Sequence, residues 1–318
     1  MPFTLALPDL IRLEADAPRM PALETLLTRA GRRPVAEGFT GVLKQVFRLP
    51  AGDLPVAALT RLADGGARDG DYWLRADPVQ LAADRDDLLM LPLADLQPAL
   101  AEAQALAASF NALYAADGLR LETTQPARWY LRTPQAFACV THAPAHVAGK
   151  PVFDFMPSGP DAQGLRQIMN EMQMLLHGHP VNLAREATGR PPINSLWLWG
   201  GGRLPEAVAD GPAWVMTDMP LVRGLALFSG APCHDWPASA DSLPREPNGM
   251  FALEADTPAK CRDIETRVAR VLLQALRHGV LPALNVYPGG AFLYTVTRAR
   301  LRRFWRRRRS LARILAAT

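Results

Sequence analysis

The segment His179-Pro-Val-Asn-Leu-Ala-Arg-Glu-Ala-Thr-Gly-Arg-Pro-Pro-Ile-Asn-Ser-Leu-Trp-Leu-Trp-Gly-Gly-Gly-Arg203 is the most distinctive passage of the chain. Its apolar run 193–199 contains two tryptophans and leads directly into three glycines. This pattern predicts a buried strand followed by a turn whose backbone a ligand can approach closely. Such a turn can present several N–H groups to an anion. A turn that needs positive φ explains the three glycines equally well, so both interpretations stay open at this point.

Several residues of this segment are candidates for contact with a phosphate-like or acidic ligand. Arginine offers a planar fork that binds an oxyanion through two parallel hydrogen bonds. The glycines followed by Arg203 match neither a dinucleotide-binding G-x-G-x-x-G motif nor a P-loop, because no Lys-Ser/Thr pair follows. The candidate anion-binding residues are Asn182, Arg185, Asn194, Trp199, Gly200, Gly201 and Arg203, and none of them is predicted to be catalytic.

Length and composition limit the class of protein. With 318 residues, 49% of them hydrophobic, the chain can bury a large core in one or two domains. No apolar run approaches the roughly 20 residues that cross a bilayer, and the start Met1-Pro2-Phe3 lacks a basic region followed by an apolar one. We therefore expect a cytoplasmic protein with no transmembrane segment. The three cysteines and the pair His177 and His179 lack the spacing or the third ligand of a metal site, so neither a metal nor another cofactor is predicted.

The positive charge is concentrated at the end of the sequence. Nine arginines lie within 298–313 with no acidic residue among them, and removing them from the 35 basic residues leaves 26 against 31 acidic ones. The pattern predicts a basic C-terminal helix over 298–318, with Leu301, Phe304, Trp305, Leu311 and Leu315 on one broad face. Docking of this face on the protein is favoured because large aromatic side chains are costly to expose. Binding of nucleic acid or an anionic membrane surface through the arginines is the alternative.

The order of predicted elements indicates an α/β protein. The patterns predict helices near 21–31, 95–118, 161–177 and 257–279, a strand at 193–199, and a hairpin formed by 284–287 and 292–297. Between 71 and 155, strands near 72–81, 88–92, 119–122 and 127–131 surround one of these helices. We therefore predict a core domain formed by 1–70 and 156–318, with a small inserted α+β domain over 71–155.

The opening segment resembles the pattern "HPVN, R, G-x-x-P, N, W-x-W-G-x-G" of the archaeal-type cofactor-independent phosphoglycerate mutases, members of the alkaline-phosphatase superfamily. Four further stretches resemble that family in the same order along the chain: the helix 17–31, the strand Trp73-Leu-Arg-Ala-Asp-Pro-Val79, the strand Trp129-Tyr-Leu-Arg132 and the helix start Leu221-Val-Arg-Gly224. The resemblance implies an alkaline-phosphatase-like core carrying a small inserted domain.

The residues that the family's chemistry requires are missing from their expected places. The resemblance implies two divalent metals held by Asp and His ligands, together with a Ser or Thr that becomes phosphorylated. Only a shifted Asp9 stands near the first metal-binding position, and Gly52-Asp53 carries no hydroxyl where the nucleophile would fall. No His-x-x-x-Asp-x-x-x-His segment is present. These departures predict that phosphoryl transfer through two metals has been lost.

A second resemblance points to a role in regulation. The motifs Arg75-Ala-Asp-Pro78, Asn194-Ser-Leu-Trp-Leu-Trp-Gly200, Tyr287-Pro-Gly-Gly290 and Arg303-Phe-Trp-Arg306 resemble bacterial RpfE-type regulatory proteins. Together the two resemblances imply a catalytically inactive mutase-like protein that binds a phosphorylated or acidic small molecule, a protein partner, or both. An active metal-dependent phosphoglycerate mutase or phosphatase is the first alternative, and a binder of nucleic acid or membrane surfaces through the arginine-rich tail is the second.

Overall fold

A computed structural model of the chain describes residues 2–84, 87–91, 93–205, 211–236, 248–303 and 305–317. The chain divides into two compact units, a core unit formed by Met1–Gly52 and Glu206–Thr318 and an inserted unit formed by Asp53–Pro205. The inserted unit therefore extends beyond the predicted boundaries 71–155 on both sides. The distinctive segment 179–203 lies inside it, whereas we had predicted that this segment belongs to the core domain.

Short strands and helices alternate along the chain. The strands are β1 (Phe3–Ala6), β2 (Gly31–Pro34), β3 (Tyr72–Val79), β4 (Leu81–Asp84), β5 (Asp87–Met90), β6 (Arg120–Gln125), β7 (Arg128–Thr133), β8 (Ser195–Gly202), β9 (Trp214–Thr217), β10 (Cys233–His234), β11 (Gly249–Ala252), β12 (Ala283–Tyr287) and β13 (Phe292–Thr297). The helices are α1 (Pro21–Arg29), α2 (Gly38–Phe47), α3 (Val56–Ala63), α4 (Leu93–Leu96), α5 (Leu100–Tyr114), α6 (Pro144–Val147), α7 (Ala162–Leu176), α8 (Pro180–Ala187), α9 (Pro220–Ser229), α10 (Pro258–Ile264), α11 (Arg270–His278), α12 (Arg298–Leu301) and α13 (Leu311–Leu315).

A seven-stranded sheet with the order β10-β9-β11-β1-β12-β13-β2 forms the centre of the core unit. The strands from β10 to β12 are parallel, and β13 is antiparallel to both of its neighbours. All four residues of β1 are buried, as expected for a central strand of a parallel sheet. The predicted hairpin of β12 and β13 is confirmed.

The main hydrophobic core of this unit lies on the face of the sheet that carries Phe3 and Leu5. Residues of α1, α10, α11 and α13 contribute to it. A short π-helical stretch, Glu265–Ala269, separates α10 from α11. Its Glu265 is buried and accepts hydrogen bonds from the N–H groups of Ala22 (2.8 Å) and Leu23 (3.2 Å), which have no partner within the first turn of α1. The carboxylate thereby caps α1 and fixes it to the core.

The predicted continuous C-terminal helix is wrong. Two short helices, α12 and α13, are separated by a stretch without helical structure in its described residues, and Phe304 lies outside those residues. The C-terminal region bonds instead with the region of α1: Arg306, in this stretch, donates to the carbonyl of Ala30 (3.2 Å), and the N–H of Leu311, at the start of α13, donates to Glu24 (3.3 Å). The leucines of the predicted face, Leu301, Leu311 and Leu315, are buried in the core, as docking predicts, but Trp305 is 66% exposed.

An antiparallel sheet with the order β6-β7-β3-β8 forms the centre of the inserted unit, and β4 and β5 form a separate hairpin. The face that carries Leu74 and Leu131 packs with α5 and α7 in one hydrophobic core. Trp73 and Tyr130, on the opposite face, pack with Ala57 and Ala58 of α3. Met169 and Met172 of α7 are buried and belong to this core.

The three glycines after Trp199 continue the strand, so the predicted turn is wrong. Gly202 pairs with Trp73 and Trp199 pairs with Arg75, which leaves one extra residue on β8 and produces a β-bulge at Gly200, where φ is +62°. A Cβ on Gly202 would lie 2.6 Å from the Cβ of Pro55, at the start of α3. Glycine therefore permits the close approach of α3 to β8.

Replacing Gly202 tests this packing. We expect Gly202→Ala to lower the free energy of unfolding by about 1–3 kcal/mol, because the added methyl group meets the ring and Cα of Pro55. Gly70→Ala is the matched control, since a Cβ at Gly70 meets no atom within 4 Å. Denaturant unfolding measures both variants, and equal stability of the two would contradict the packing role of Gly202.

Within the described residues, no helix has both the length and the apolar character needed to cross a bilayer.

Candidate functional site

Acidic side chains follow three neighbouring strands of the core sheet at the same edge. Asp9 comes after β1, Asp218 follows β9 directly, and Glu254 and Asp256 follow β11. The carboxyl ends of parallel strands meet at one edge of a sheet, and ligands of open α/β sheets bind there. We call these four residues the carboxylate cluster. Their position makes this edge the candidate functional site of the core unit.

Local hydrogen bonds hold the loops of the carboxylate cluster together. The Thr217 hydroxyl donates to the carbonyl of Ala252 (2.7 Å), which ties the ends of β9 and β11. The next residue, Asp218, accepts a hydrogen bond from the N–H of Glu254 at 3.0 Å. Thr257 caps α10 by accepting the N–H of Lys260, and this cap brings the side chain of Lys260 back over the loop.

Lys260 supplies a positive charge within the carboxylate cluster. Its Nζ donates to Glu254 at 2.7 Å and lies 3.0 Å from a carboxylate oxygen of Asp256. Partial burial lowers the pKa of Lys260, but the hydrogen bonds and charges of these two carboxylates outweigh burial and raise the pKa above its ordinary value. Lys260 is therefore a permanent ammonium ion at neutral pH.

The remaining carboxylates of the cluster differ in their environment. Burial raises the pKa of Asp9, the charge of Arg12 at 3.3 Å opposes this effect, and the nearby Glu254 and Asp256 raise the pKa further. Desolvation also raises the pKa of Asp218, against the hydrogen bond from the N–H of Glu254. Burial, assisted by nearby carboxylates, therefore raises the pKa of both Asp9 and Asp218.

The carboxylate cluster does not fit a two-metal centre. Two divalent ions about 3.5–4 Å apart need several Asp, Glu or His ligands that converge on each ion. Among the residues that the structure describes, no three His, Cys, Asp or Glu side chains are placed to hold a metal ion. Two of the four carboxylates bind Lys260, and Asp9 pairs with Arg12.

Sequence reasoning named Asp9 but missed the other members of this site. The reason is that β9 and β11 have four residues each and do not alternate, so neither was predicted as a strand. The available signal was a short, mostly apolar run that ends in an acidic residue: Trp-Val-Met-Thr-Asp218 and Gly-Met-Phe-Ala-Leu-Glu254. The pairing of β9 with β11, and of β11 with β1, brings the acidic residues after these strands together.

In the inserted unit, the structure places the two asparagines of the predicted anion site in structural contacts. Asn182 is buried, and its side chain donates to the carbonyls of Leu176 and Ile193 and accepts the N–H of Ile193, each at 2.8 Å. Asn194 bonds both backbone groups of Leu81, also at 2.8 Å. These bonds use the side chains of both residues to join separate segments of the unit.

The guanidinium of Arg185 is likewise inside the protein. Only 1% of the residue is exposed, and its nitrogens donate to Glu102 at 2.6 Å, to the carbonyl of Pro191 at 2.7 Å and to the carbonyl of Leu96. Glu102 also pairs with Arg190 at 2.7 Å. Anion binding by Asn182, Arg185 and Asn194 stays a prediction, and their contacts favour a structural role.

The remaining predicted residues lie along β8 and just after it. The Gly200 N–H donates to the Thr141 hydroxyl at 3.2 Å, and a Cβ on Gly201 would lie 2.5 Å from the Tyr72 hydroxyl oxygen. Exposed Arg203 donates to the carbonyl of Gly70. The packing of the glycines accounts for their presence, and anion binding by Trp199, Gly200, Gly201 and Arg203 stays a prediction.

A buried polar network occupies the face of the inserted sheet that packs with α3. Arg75 forms an ion pair with Asp77, and the indole N–H of Trp199 donates to the same carboxylate at 2.7 Å. The Arg75 guanidinium lies 5.3 Å from the Trp199 ring centre and 5.4 Å from that of Tyr130. Burial raises the pKa of Asp77, and Arg75 and Trp199 oppose this by stabilising the charged form.

His179 contacts a serine in a geometry unsuited to nucleophilic catalysis. Its Nδ1 accepts the N–H of Val181 at 3.2 Å, so the ring proton of the neutral form is on Nε2. Nε2 lies 3.0 Å from the Ser109 hydroxyl and donates to it. A general base would have to accept the hydroxyl proton instead.

Comparison with known proteins gives the class of the fold. No family model matches the chain. The chain is 26% identical to the probable 2,3-bisphosphoglycerate-independent phosphoglycerate mutase of Geobacter sulfurreducens over 166 residues, which cover 50% of this chain and 42% of that protein. It is 34% identical to the 2,3-bisphosphoglycerate-independent phosphoglycerate mutase of Methanothrix thermoacetophila over 119 residues, 35% of this chain and 30% of that protein. The matched regions thus span less than half the length of these relatives.

A solved structure supports the same fold. The PH0037 protein from Pyrococcus horikoshii superposes with a TM-score of 0.50 at 15% identity, over 93% of this chain and 87% of that chain. The predicted fold class, α/β with an alkaline-phosphatase-like core, is confirmed. In sequence, the protein is similar to cofactor-independent phosphoglycerate mutases at low identity.

Substitution of Arg75 tests the buried network. We expect Arg75→Met to lower the free energy of unfolding by about 3–5 kcal/mol, because it leaves the Asp77 carboxylate buried without its ion partner. Arg120→Met on β6 is the control: its side chain is 63% exposed and lies 3.6 Å from Glu122, so the loss should stay below about 1 kcal/mol. Similar losses for both variants in denaturant unfolding would show that the network is not critical.

Proposed function

We propose that this protein is a catalytically inactive relative of the cofactor-independent phosphoglycerate mutases and acts by binding. The observation that carries the proposal is the ammonium group of Lys260 between Glu254 and Asp256 at the carboxyl edge of the core sheet. Metal-dependent phosphoryl transfer needs divalent cations to neutralise the charge on the transferring oxygens. Lys260 carries a single charge and is already paired with two carboxylates.

The charge balance of the carboxylate cluster also disfavours a phosphate ester. Its four carboxylates are paired with two cations, Lys260 and Arg12, which leaves these six groups with a formal charge of −2 when all are ionised. Arg223 also interacts with Asp218, but its charge is balanced by an ion pair with Asp235. A negatively charged site repels a phosphorylated substrate unless divalent metals reverse its sign. In addition, no hydroxyl stands at 51–54, where the resemblance to the mutases places the nucleophile.

The proposed role is regulatory, through a protein partner or through a small phosphorylated or acidic ligand that binds outside the carboxylate cluster. The resemblance to RpfE-type bacterial regulatory proteins supports regulation. A cytoplasmic location remains part of this proposal, because the relatives are enzymes named for phosphoglycerate chemistry.

Enzyme assays test whether catalysis has been lost. The full-length protein is incubated with 3-phosphoglycerate or p-nitrophenyl phosphate in the presence of Mn²⁺ or Mg²⁺, and we expect no turnover above the rate without protein. Turnover that a chelator abolishes would contradict the proposal and favour an active mutase or phosphatase. Asp9→Asn is the matched control for any turnover that is observed. This variant should lower turnover that occurs at the carboxylate cluster, but it should not change turnover by a contaminating enzyme.

A further inference from the structure

A wide basic cleft lies on the core unit between the α1–β2 region and the segment that precedes α13. Its volume is about 1140 Å³, and seven arginines line it: Arg19, Arg32 and five more within 306–313. Glu24 is the one acidic residue in the described lining. We call this feature the Arg cleft. It is separate from the residues that carry the proposed function.

The arginine-rich wall of the Arg cleft is fixed in place. The N–H of Arg309 donates to the Thr28 hydroxyl at 3.2 Å, and Arg308 forms an ion pair with Glu24 at 3.3 Å. Leu311 and Ile314, just beyond this stretch, are buried in the core of the unit. A wall that is ordered before a ligand arrives loses less conformational entropy on binding than a flexible tail does.

The positive charge of the Arg cleft indicates an anionic ligand. Seven arginines against one glutamate leave a formal charge of +6, and the Glu24 side chain, 1% exposed, lies beneath Arg308 and Arg19. Arg307, Arg309 and Arg313 are exposed. Repulsion among so many like charges in one concavity is relieved when a polyanion binds.

The size and the aromatic lining of the cleft indicate the kind of polyanion. Its volume exceeds the roughly 300–1,000 Å³ of a small-molecule pocket, so it accommodates a chain of several phosphates. Trp305 and Tyr294 line the cleft, and Trp305 is 66% exposed. An exposed aromatic ring beside a positively charged groove is the arrangement with which proteins hold single strands, since bases stack on the ring while arginines contact phosphates.

We propose that the Arg cleft binds single-stranded nucleic acid without sequence specificity. The arginines of 306–313 contact successive phosphates, and Trp305 stacks with a base. A concave cleft suits a flexible chain better than it suits the flat surface of a membrane. The carboxylate cluster takes no part in this binding.

Fluorescence anisotropy with a labelled oligo(dT) tests the proposal on the full chain. The triple variant Arg307→Ala/Arg309→Ala/Arg313→Ala should weaken binding strongly and reduce the slope of log Kd against log salt by about 2, because three phosphate contacts are lost. The control Arg120→Ala/Arg166→Ala/Arg262→Ala removes the same charge from exposed positions outside the cleft lining and should bind like the wild type. Equal weakening by both triples would overturn the proposal in favour of diffuse charge.

Trp305→Ala separates stacking from charge and needs no change in the arginines. We expect it to weaken oligo(dT) binding about tenfold, while binding of inorganic polyphosphate stays unchanged. Unchanged affinity of Trp305→Ala for oligo(dT) would overturn the nucleic-acid assignment, and so would preferential binding of polyphosphate, duplex DNA or phosphatidylserine vesicles by the wild type. Circular dichroism tests whether each variant is folded. If the arginine triple variant does not fold, the affinity of Trp305→Ala for oligo(dT) decides whether the Arg cleft binds nucleic acid.

Discussion

The pairing of β8 with β3 is the interaction on which the inserted unit depends. It joins residues that are 116 to 129 positions apart in sequence, and it brings Trp199 beside the ion pair of Arg75 and Asp77. The glycines at the end of β8 allow α3 to approach closely enough to cover this network. A buried ion pair is tolerated only when its remaining hydrogen-bonding groups are satisfied, and the tight fit of strand and helix provides that condition.

The carboxylate cluster of the core unit depends instead on the balance between its negative charges and the cations that neutralise them. An α/β sheet brings the loops at its carboxyl edge together whether or not they carry out chemistry, so clustered acidic residues must be neutralised by some cation. In this chain the side chain of Lys260 meets two of the carboxylates. An internal ammonium holds the loops of the site together, but it lacks the double charge and open coordination positions of a catalytic metal.

Much of the fold could be predicted from the sequence because long amphipathic helices and the β12–β13 hairpin carry strong local patterns. The structure also contains features without such patterns. The four-residue strands β9 and β11 become strands only by pairing with β1 and with each other, and hence the carboxylate cluster was mostly missed. Arg185 is the reverse case, because its chemistry suits an anion but its contacts in the structure are internal. Residue type indicates what a side chain is able to bind, whereas burial decides what it meets.

The most direct test of the central claim is the anomalous diffraction of crystals of this protein soaked in Mn²⁺. The account predicts no anomalous peak among Asp9, Asp218, Glu254 and Asp256, with the Lys260 ammonium still bound to its two carboxylates. One or two peaks at this position, with Lys260 displaced, would contradict the account and restore a metal centre to the carboxyl edge of the sheet.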